Sequence, residues 1–331
     1  MTVSPPGKNP LVSVVMPTYR RASMLGDVIG SVLAQTFTDW ELLVVDDNGE
    51  GTVAQRDTEA VLARYGDDAR ILYVPHERNR GACAARNTGI IRARGTFVAF
   101  LDDDDLWSAD KLERQVACFA SASPDVALVY GGWRHVFEDG TVETFMPDGS
   151  AHELPQLLKR NAIGSTSLVM CRRSALLAID GFDETLPAMQ DFDLYIRLGM
   201  QHAFSYVDSV LMDHRRHDSP RITTDPEVVQ RANERFHAKH RHLFEADRDV
   251  HQARLRAYAY DMLRIGQFAK ARRLYRSAWH VDRRSVRTLA LGLLVHEPII
   301  EAYRAMKRLV RRSSRRTPTQ RSDRVHDEHA S

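Results

Sequence analysis

The chain has 331 residues, of which 43% are apolar and 27% charged, and its formal net charge is +2. This composition is typical of a folded globular protein with a substantial core, and the near balance of charge gives no global field that would attract nucleic acid. The three cysteines, Cys83, Cys118 and Cys171, are too widely spaced to predict a metal cluster or a disulfide framework, which favours a reducing, cytoplasmic location.

Neither end of the sequence contains a predicted membrane-spanning segment. Residues 1–10 are polar and proline-rich, lack the apolar stretch of a signal peptide, and are expected to be disordered. The longest apolar run of the C-terminal region, 289–295, is much shorter than the about 20 residues that a bilayer requires. We therefore expect a cytoplasmic protein.

The first third of the chain alternates buried strands with amphipathic helices. Strands are predicted at 11–16, 40–45, 70–74 and 96–101, and helices at 24–35, 52–65 and 82–93. This alternation predicts a parallel sheet with helices on both faces. Further along, 126–130 resembles a strand, 191–200 a helix, and everything after about 225 is helical, including a hairpin over 255–279 that is interrupted at Gly266.

Polar residues follow three of these strands at the point where each strand ends. They are the segments 17–21, 46–48 and 102–105. Because the carboxyl ends of parallel strands meet at one edge of a sheet, these segments are expected to form a ligand site there.

Four adjacent aspartates, 102–105, carry the strongest chemical signal. Crowded carboxylates repel one another, and a hard divalent cation such as Mg²⁺ or Mn²⁺ would offset that repulsion through oxygen ligands. Such ions usually take one or two protein carboxylates and complete their shell with substrate phosphates. The alternative is a solvated acidic loop that caps the helix predicted to begin near Ala109.

At these residues the sequence resembles glycosyltransferase family 2, the inverting enzymes of the GT-A fold. The resemblance covers about 11–220 and rests on an ordered set of motifs: VVMPTY at 14–19, SVLAQT at 31–36, VVDDN at 44–48, NRG at 79–81, ARNTG at 85–89, LDDDD at 101–105, GFDE at 181–184 and QDFDL at 190–194. It implies an α/β, Rossmann-like GT-A domain with a mostly parallel sheet flanked by helices, followed by a C-terminal α-helical appendage.

The resemblance implies a donor site in the first half of this domain. The nucleoside would be held by Pro17, Tyr19, Arg21, and Asp46 or Asp47, and Asp103 would reach the ribose. For Asp46 and Asp47 the alternative is a turn built on the following Asn-Gly pair, and for Tyr19 it is a packing role. A further residue, Arg86, would contact phosphate or the aspartates, unless it is an ordinary surface arginine.

The same resemblance implies metal ligands and a catalytic base. Asp104 and Asp102 would bind Mn²⁺ or Mg²⁺, and His217 would contact the metal or the diphosphate, unless it is a solvated surface histidine. Asp191 would be the base that takes the proton of the acceptor hydroxyl in a single displacement. Asp193 competes with it for that role, and Asp191 could instead cap a helix.

The predicted organisation places the nucleotide-sugar half at 11–107, the acceptor half at 108–225, a helical appendage at 226–310 and a disordered basic tail at 311–331. The expected substrates are a nucleotide sugar, with UDP favoured by family frequency, and a saccharide or lipid-linked acceptor of polysaccharide assembly. Basic residues flank the apolar faces of the C-terminal helices, which favours either peripheral contact with the inner face of an anionic membrane or a solvated hairpin.

Two other functions fit the sequence less well. A nucleotidyltransferase would place a glycine-rich loop after the first strand, where this chain has no glycine before Gly26. A non-catalytic scaffold would be favoured by loss of the metal or base carboxylates, and both are present. No aromatic-interleaved basic platform predicts nucleic-acid binding.

Overall fold

The computed structural model describes residues 9–137, 140–215 and 225–294. The chain divides into two compact units, the first ending at Arg254 and the second beginning at Leu255. The first unit extends past residue 225, which was the predicted end of the GT-A domain. No described helix is both long enough and apolar enough to cross a membrane.

The first unit alternates strands and helices. Its strands are β1 Val12–Thr18, β2 Trp40–Asp46, β3 Ile71–Pro75, β4 Phe97–Phe100, β5 Asp105–Trp107, β6 Val126–Val136, β7 Val142–Phe145, β8 Met170–Arg172 and β9 Ala203–Arg215. Its helices are α1 Ala22–Leu33, α2 Val53–Leu62, α3 Ala82–Arg92, α4 Lys111–Ser121, α5 Leu154–Lys159, α6 Arg173–Ala178, α7 Gln190–Gly199, α8 Pro226–Lys239 and α9 Arg241–Ala246. Helix α10, Arg248–Arg264, spans the division between the units.

One sheet contains all the described strands, in the order β3-β2-β1-β4-β8-β6-β9-β5, with β7 paired to β6. The first four strands of this order are parallel, as is the pair β6–β9, whereas β8, β7 and β5 pair in the antiparallel direction. The sequence prediction of a mostly parallel α/β sheet flanked by helices, with helices following it, is confirmed.

Helices cover both faces of the sheet because its central strands are apolar on both faces. In β1, Val14 and Met16 belong to the core beneath α1, while Val15 belongs to the core on the opposite face. This alternation follows from the two-residue period of a strand. Helix α3 approaches β1 closely at Gly89, where a Cβ would lie 2.2 Å from Val15 Cγ1.

The second unit is helical where it is described. Helix α11 spans Phe268–Val281 and α12 spans Val286–Leu294. Gly266, with φ of +82°, lies between α10 and α11 in a conformation that glycine adopts without strain. The interruption predicted at Gly266 is therefore confirmed, whereas the basic tail predicted for 311–331 lies outside the described residues.

Candidate functional site

The loop after β1 brings an exposed aromatic ring to the carboxyl edge of the sheet. Pro17 is a β1 residue paired with Val45, and Tyr19, directly after the strand, is 41% exposed. The loop turns at Arg20, whose φ is +56°, and the Arg20 amide donates to Asn48 Oδ1 over 2.7 Å. A side-chain amide from the β2 loop therefore holds the turn that presents Tyr19.

Arg21 joins this loop to the aspartates that follow β4. Its Nη1 lies 2.9 Å from Asp103 Oδ1 and 2.8 Å from Asp104 Oδ2. Thr18 Oγ1 donates to Asp103 Oδ2 over 2.9 Å. Burial raises the pKa of Asp103 to about 6, although the Arg21 charge opposes that shift. Thus Arg21, Asp103 and Asp104, all three predicted as site residues, form one cluster.

Asp102 faces a different cation. Arg86 Nη2 donates to Asp102 Oδ1 over 2.5 Å, and the guanidinium is buried with its Cζ 5.4 Å from the centroid of the Phe182 ring. The Asp102 amide donates to Ser167 Oγ over 2.9 Å. Because Arg86 is buried, the structure does not support the alternative of an ordinary surface arginine.

Asp46 and Asp47 are both buried and both accept hydrogen bonds from the protein. Asp46 receives the Asn48 amide and the Tyr73 hydroxyl, at 2.8 and 2.9 Å, and burial raises its pKa. Asp47 contacts His76 Nδ1 at 2.7 Å and accepts the amides of Arg80 and Gly81 at 2.8 and 2.7 Å. Asp47 therefore organises the loop between β3 and α3.

Asp191, the predicted base, lies in the first turn of α7. Its Oδ2 accepts from Asn161 Nδ2 over 3.0 Å, and its Oδ1 accepts from the Phe192 amide over 2.8 Å. Burial raises its pKa, while the positive charge of Arg86 opposes that shift and the negative charge of Asp102 adds to it. The positive charge of Arg86 is therefore close enough to influence both Asp191 and Asp102.

Asp193, the competing candidate for the base, is buried and bound to side chains of the protein itself. It is fully buried, and its oxygens lie 2.8 Å from Arg197 Nε, 2.7 Å from Lys239 Nζ and 2.8 Å from His240 Nε2. These hydrogen bonds and charges outweigh burial and lower its pKa to about 2. A buried, weakly basic carboxylate bound to an arginine, a lysine and a histidine is poorly suited to accept a substrate proton.

Two residues near the aspartates were missed by the sequence analysis. His214 Nδ1 lies 2.7 Å from Asp105 Oδ1, and burial raises the pKa of Asp105. Asn161, which binds Asp191, has no motif around it. The predicted ligand His217 lies outside the described residues. Within those residues, no group of three or more His, Cys, Asp or Glu side chains is arranged to hold a metal.

A separate cavity of about 520 Å³ opens beside β3 and α3. Its lining consists of Val74, Pro75, His76, Glu77, Arg78, Arg80, Thr88 and Arg92. The aspartates at 102–105 and Asp191 are not among these residues. The predicted donor residue Asp47, however, is bound to two of the lining residues, His76 and Arg80.

Comparison with known proteins identifies related sequences. The profile of glycosyl transferase family 2 matches residues 13–184. An uncharacterized glycosyltransferase of Rickettsia bellii is 32% identical over 216 residues, which are 63% of this chain and 30% of that protein. The match thus spans about a third of the length of this and two other Rickettsia relatives.

Two relatives have more specific names. The Escherichia coli UDP-Glc:alpha-D-GlcNAc-diphosphoundecaprenol beta-1,3-glucosyltransferase WfgD is 35% identical over 49% of this chain and 60% of its own length. The putative teichuronic acid biosynthesis glycosyltransferase TuaG of Bacillus subtilis is 37% identical over 49% of this chain and 63% of its own length.

Two solved structures have the same fold. S. aureus TarS 1–349 in complex with UDP-GlcNAc matches with a TM-score of 0.57 at 16% identity, covering 89% of this chain and 91% of that one. Mannosyltransferase PcManGT of Pyrobaculum calidifontis, in complex with GDP-Man and Mn²⁺, matches with a TM-score of 0.57 at 19% identity, covering 94% and 88%. At these identities the likeness establishes the GT-A fold alone.

Proposed function

This chain belongs to glycosyltransferase family 2, and we propose that it transfers a sugar from a nucleotide-diphosphate sugar to a saccharide or lipid-linked acceptor with inversion at the anomeric carbon. The observation that carries the proposal is the position of Arg86. This buried cation binds Asp102, the first of the four aspartates, and its charge also influences Asp191, the proposed base. One guanidinium would therefore influence both a donor-site carboxylate, Asp102, and the base that activates the acceptor, Asp191.

Asp191 serves as the general base in this proposal. The acceptor oxygen forms a bond to the anomeric carbon as the bond from that carbon to the diphosphate oxygen breaks, and the hydroxyl proton passes to Asp191. A raised pKa makes this carboxylate a better proton acceptor than an ordinary aspartate. Asn161 would orient the carboxylate through its hydrogen bond to Oδ2.

Asp102 and Asp104 fit a hard divalent cation, since both offer the carboxylate oxygens that such ions prefer. When bound, Mn²⁺ or Mg²⁺ would stabilise negative charge on the departing diphosphate. Two protein carboxylates suffice for such an ion if phosphate oxygens or water complete its shell, which agrees with the lack of a larger ligand cluster in the described part of the chain. His217 remains a proposed additional ligand.

The nucleoside would lie on the loop after β1. Exposed Tyr19 offers its ring to the base, beside Pro17 and Arg21, and Asp103 would accept from the ribose. Asp46 and Asp47 remain proposed contacts of the base edge, although each already accepts hydrogen bonds from protein donors. Asp46 and Asp47 would then support nucleotide binding by fixing the conformation of the neighbouring loops as well as by direct contact with the base.

The names of the relatives favour particular substrates. WfgD takes UDP-Glc and a diphosphoundecaprenol-linked acceptor by its name, and TarS was solved with UDP-GlcNAc. We therefore favour a UDP-sugar donor and a role in polysaccharide assembly at the cytoplasmic face of a membrane. Peripheral contact through the basic C-terminal helices would be detected by flotation of the full chain with anionic vesicles, and its absence at low salt would exclude it.

Calorimetric titration with UDP, GDP and dTDP, each with and without Mn²⁺, tests the donor site. One nucleotide is expected to bind only with Mn²⁺, and Asp104→Ala should weaken that binding at least about tenfold by removing a metal ligand. The matched control is Asp110→Ala, because Asp110 is a half-buried aspartate whose ion pair is with Arg114. If no nucleotide binds under any condition, the non-catalytic scaffold becomes the better reading.

A further inference from the structure

Strands β6 and β7 carry three neighbouring aromatic side chains, called here the aromatic ledge: Trp133 and His135, which are half-buried, and Phe145, which is exposed. The Trp133 and Phe145 rings are stacked with centroids 4.2 Å apart and an interplanar angle of 12°. Trp133 also contacts the edge of His135, with centroids 4.4 Å apart. Register explains the stack, because Trp133 and Phe145 are direct partners in the β6–β7 pair and so lie on the same face.

The aromatic ledge adjoins the aspartate cluster on one side. His135 lies 5.0 Å from His214, measured between ring centroids, and His214 is bound to Asp105. Asp105 is the next residue after the proposed metal ligand Asp104. Since β9 pairs with both β6 and β5, it joins the ledge to the end of the aspartate run.

On another side the ledge adjoins the proposed base. A Cβ placed on Gly164 would lie 3.6 Å from Trp133 Nε1, so the indole passes close to this backbone. The Gly164 carbonyl accepts from Asn161 Nδ2 over 3.2 Å, and the same amide nitrogen donates to Asp191 over 3.0 Å. Only the Gly164–Asn161 segment therefore separates Trp133 from Asp191.

The ledge combines apolar surface in solvent, at Phe145, with an N–H donor on its half-buried partner Trp133. Phe145 is 42% exposed although it is a large apolar side chain, and its inner face is already covered by Trp133. Trp133 Nε1 has no hydrogen-bond acceptor among the residues that the structure describes. A flat aromatic face beside a donating N–H suits a ligand that has an apolar face and hydroxyl groups around its rim.

We propose that the aromatic ledge is an acceptor subsite, on which a pyranose ring stacks its C–H face against Phe145 while a sugar hydroxyl accepts from Trp133 Nε1. This inference rests on the proposed function, since the ring is the acceptor whose hydroxyl would be aligned with Asp191. It names a saccharide as the acceptor class at this position and makes Phe145 a specificity-determining residue. The stacked sugar would cover apolar surface that is otherwise in water.

Saturation-transfer NMR with a panel of methyl glycosides tests the subsite directly. The probes are the methyl α- and β-pyranosides of glucose, galactose, mannose and N-acetylglucosamine, added to the full chain in the presence of Mn²⁺ and UDP or GDP. At least one glycoside is expected to bind, and Phe145→Ala should weaken it about tenfold, whereas Phe145→Trp should retain it.

Val142→Ala is the matched control for this experiment. Val142 lies on the same strand and is 51% exposed, but it pairs with Val136 on the opposite face from Phe145. Thermal unfolding of both alanine variants separates loss of the subsite from loss of the fold. The proposal is overturned if no glycoside binds the wild-type chain, or if Phe145→Ala and Val142→Ala weaken binding equally.

The outcome of the donor titration described above is independent of the outcome of this glycoside test. Glycoside binding that depends on Phe145, in a chain that binds no nucleotide, would support the subsite and contradict the transferase. Nucleotide binding without any glycoside binding would support the donor site and overturn the subsite.

Discussion

Arg21 Nη1 lies 2.8 Å from Asp104 Oδ2, so the proposed metal ligand already has a cationic partner within the protein. The same nitrogen contacts Asp103 at 2.9 Å. A single guanidinium thus offsets part of the repulsion between adjacent carboxylates. A divalent cation at Asp104 would share the carboxylate with Arg21 or displace it, and the two positive charges would repel each other.

Removing the Arg21 charge is therefore expected to strengthen metal binding. In nucleotide-free protein, Arg21→Gln should raise Mn²⁺ affinity about fivefold, which corresponds to about 1 kcal/mol for a partly exposed charge pair. Titration followed by the electron paramagnetic resonance signal of free Mn²⁺ measures this. Arg20→Gln removes a neighbouring charge that stacks on Tyr19 and should have a smaller effect. Weaker Mn²⁺ binding by Arg21→Gln would contradict the proposed position of the metal.

Asp191→Asn should remove proton acceptance while leaving the donor site intact. We expect kcat to fall by about 10² to 10⁴, the range for loss of a general base, with little change in the nucleotide Kd. Because burial raises the pKa of Asp191, wild-type kcat/KM should decline as the pH falls through a midpoint above the ordinary aspartate value of 3.8. Steady-state rates across pH measure both effects. A variant with near wild-type kcat would exclude Asp191 as the base.

Asp193→Asn should instead reduce stability, because it leaves the buried or half-buried side chains of Arg197, Lys239 and His240 without their carboxylate partner. The loss is expected to be about 3 kcal/mol in the free energy of unfolding. The folded pKa of about 2 lies below the ordinary 3.8, so the ionised form stabilises the wild type above pH 4, and that contribution is lost as pH falls toward 2. Urea unfolding across this range should show a shallower acid dependence in the variant. Equal dependence would contradict the lowered pKa.

Two glycine substitutions are expected to act in opposite directions. Gly89→Ala would place a Cβ 2.2 Å from Val15 Cγ1 and should cost about 1 to 3 kcal/mol through overpacking between α3 and β1. Gly30→Ala, within α1, meets no atom within 4 Å and should stabilise by about 0.5 to 1 kcal/mol because alanine favours the helix. Urea unfolding distinguishes them. If both variants stabilise equally, α3 and β1 are less closely packed than described.

Local patterns were enough to predict the elements around the carboxyl ends of β1 and β2. The apolar runs of β1 and β2 are continuous because both strand faces are buried, and the polar segments after them follow from the direction of the strands. The structure brings Arg21, Asp103 and Asp104 together as the strand-end argument requires. The roles of these residues toward nucleotide and metal stay predictions.

Contacts between distant residues could not be predicted in the same way. His214 reaches Asp105 because β9 pairs with β5, and no local periodicity encodes a pairing between residues 109 positions apart. Asp191 and Asp193 share one short motif, yet Lys239 and His240 from α8 and its cap determine that Asp193 is a structural residue. Only tertiary structure distinguishes two identical side chains that are two positions apart.

The hydrogen bonds of Asp47 affect how the sequence of the loop between β3 and α3 can vary. Its carboxylate accepts the main-chain amides of Arg80 and Gly81, together with the side chains of His76 and Asn79. The conformation of the loop after β3 is thus determined largely by Asp47, which lies outside that loop. Two of the contacts of Asp47 are to main-chain N–H groups, which every residue except proline has. Residues such as Arg78 and Arg80 can then be exchanged during evolution without refolding the loop, so new ligand preferences can arise on an inherited backbone.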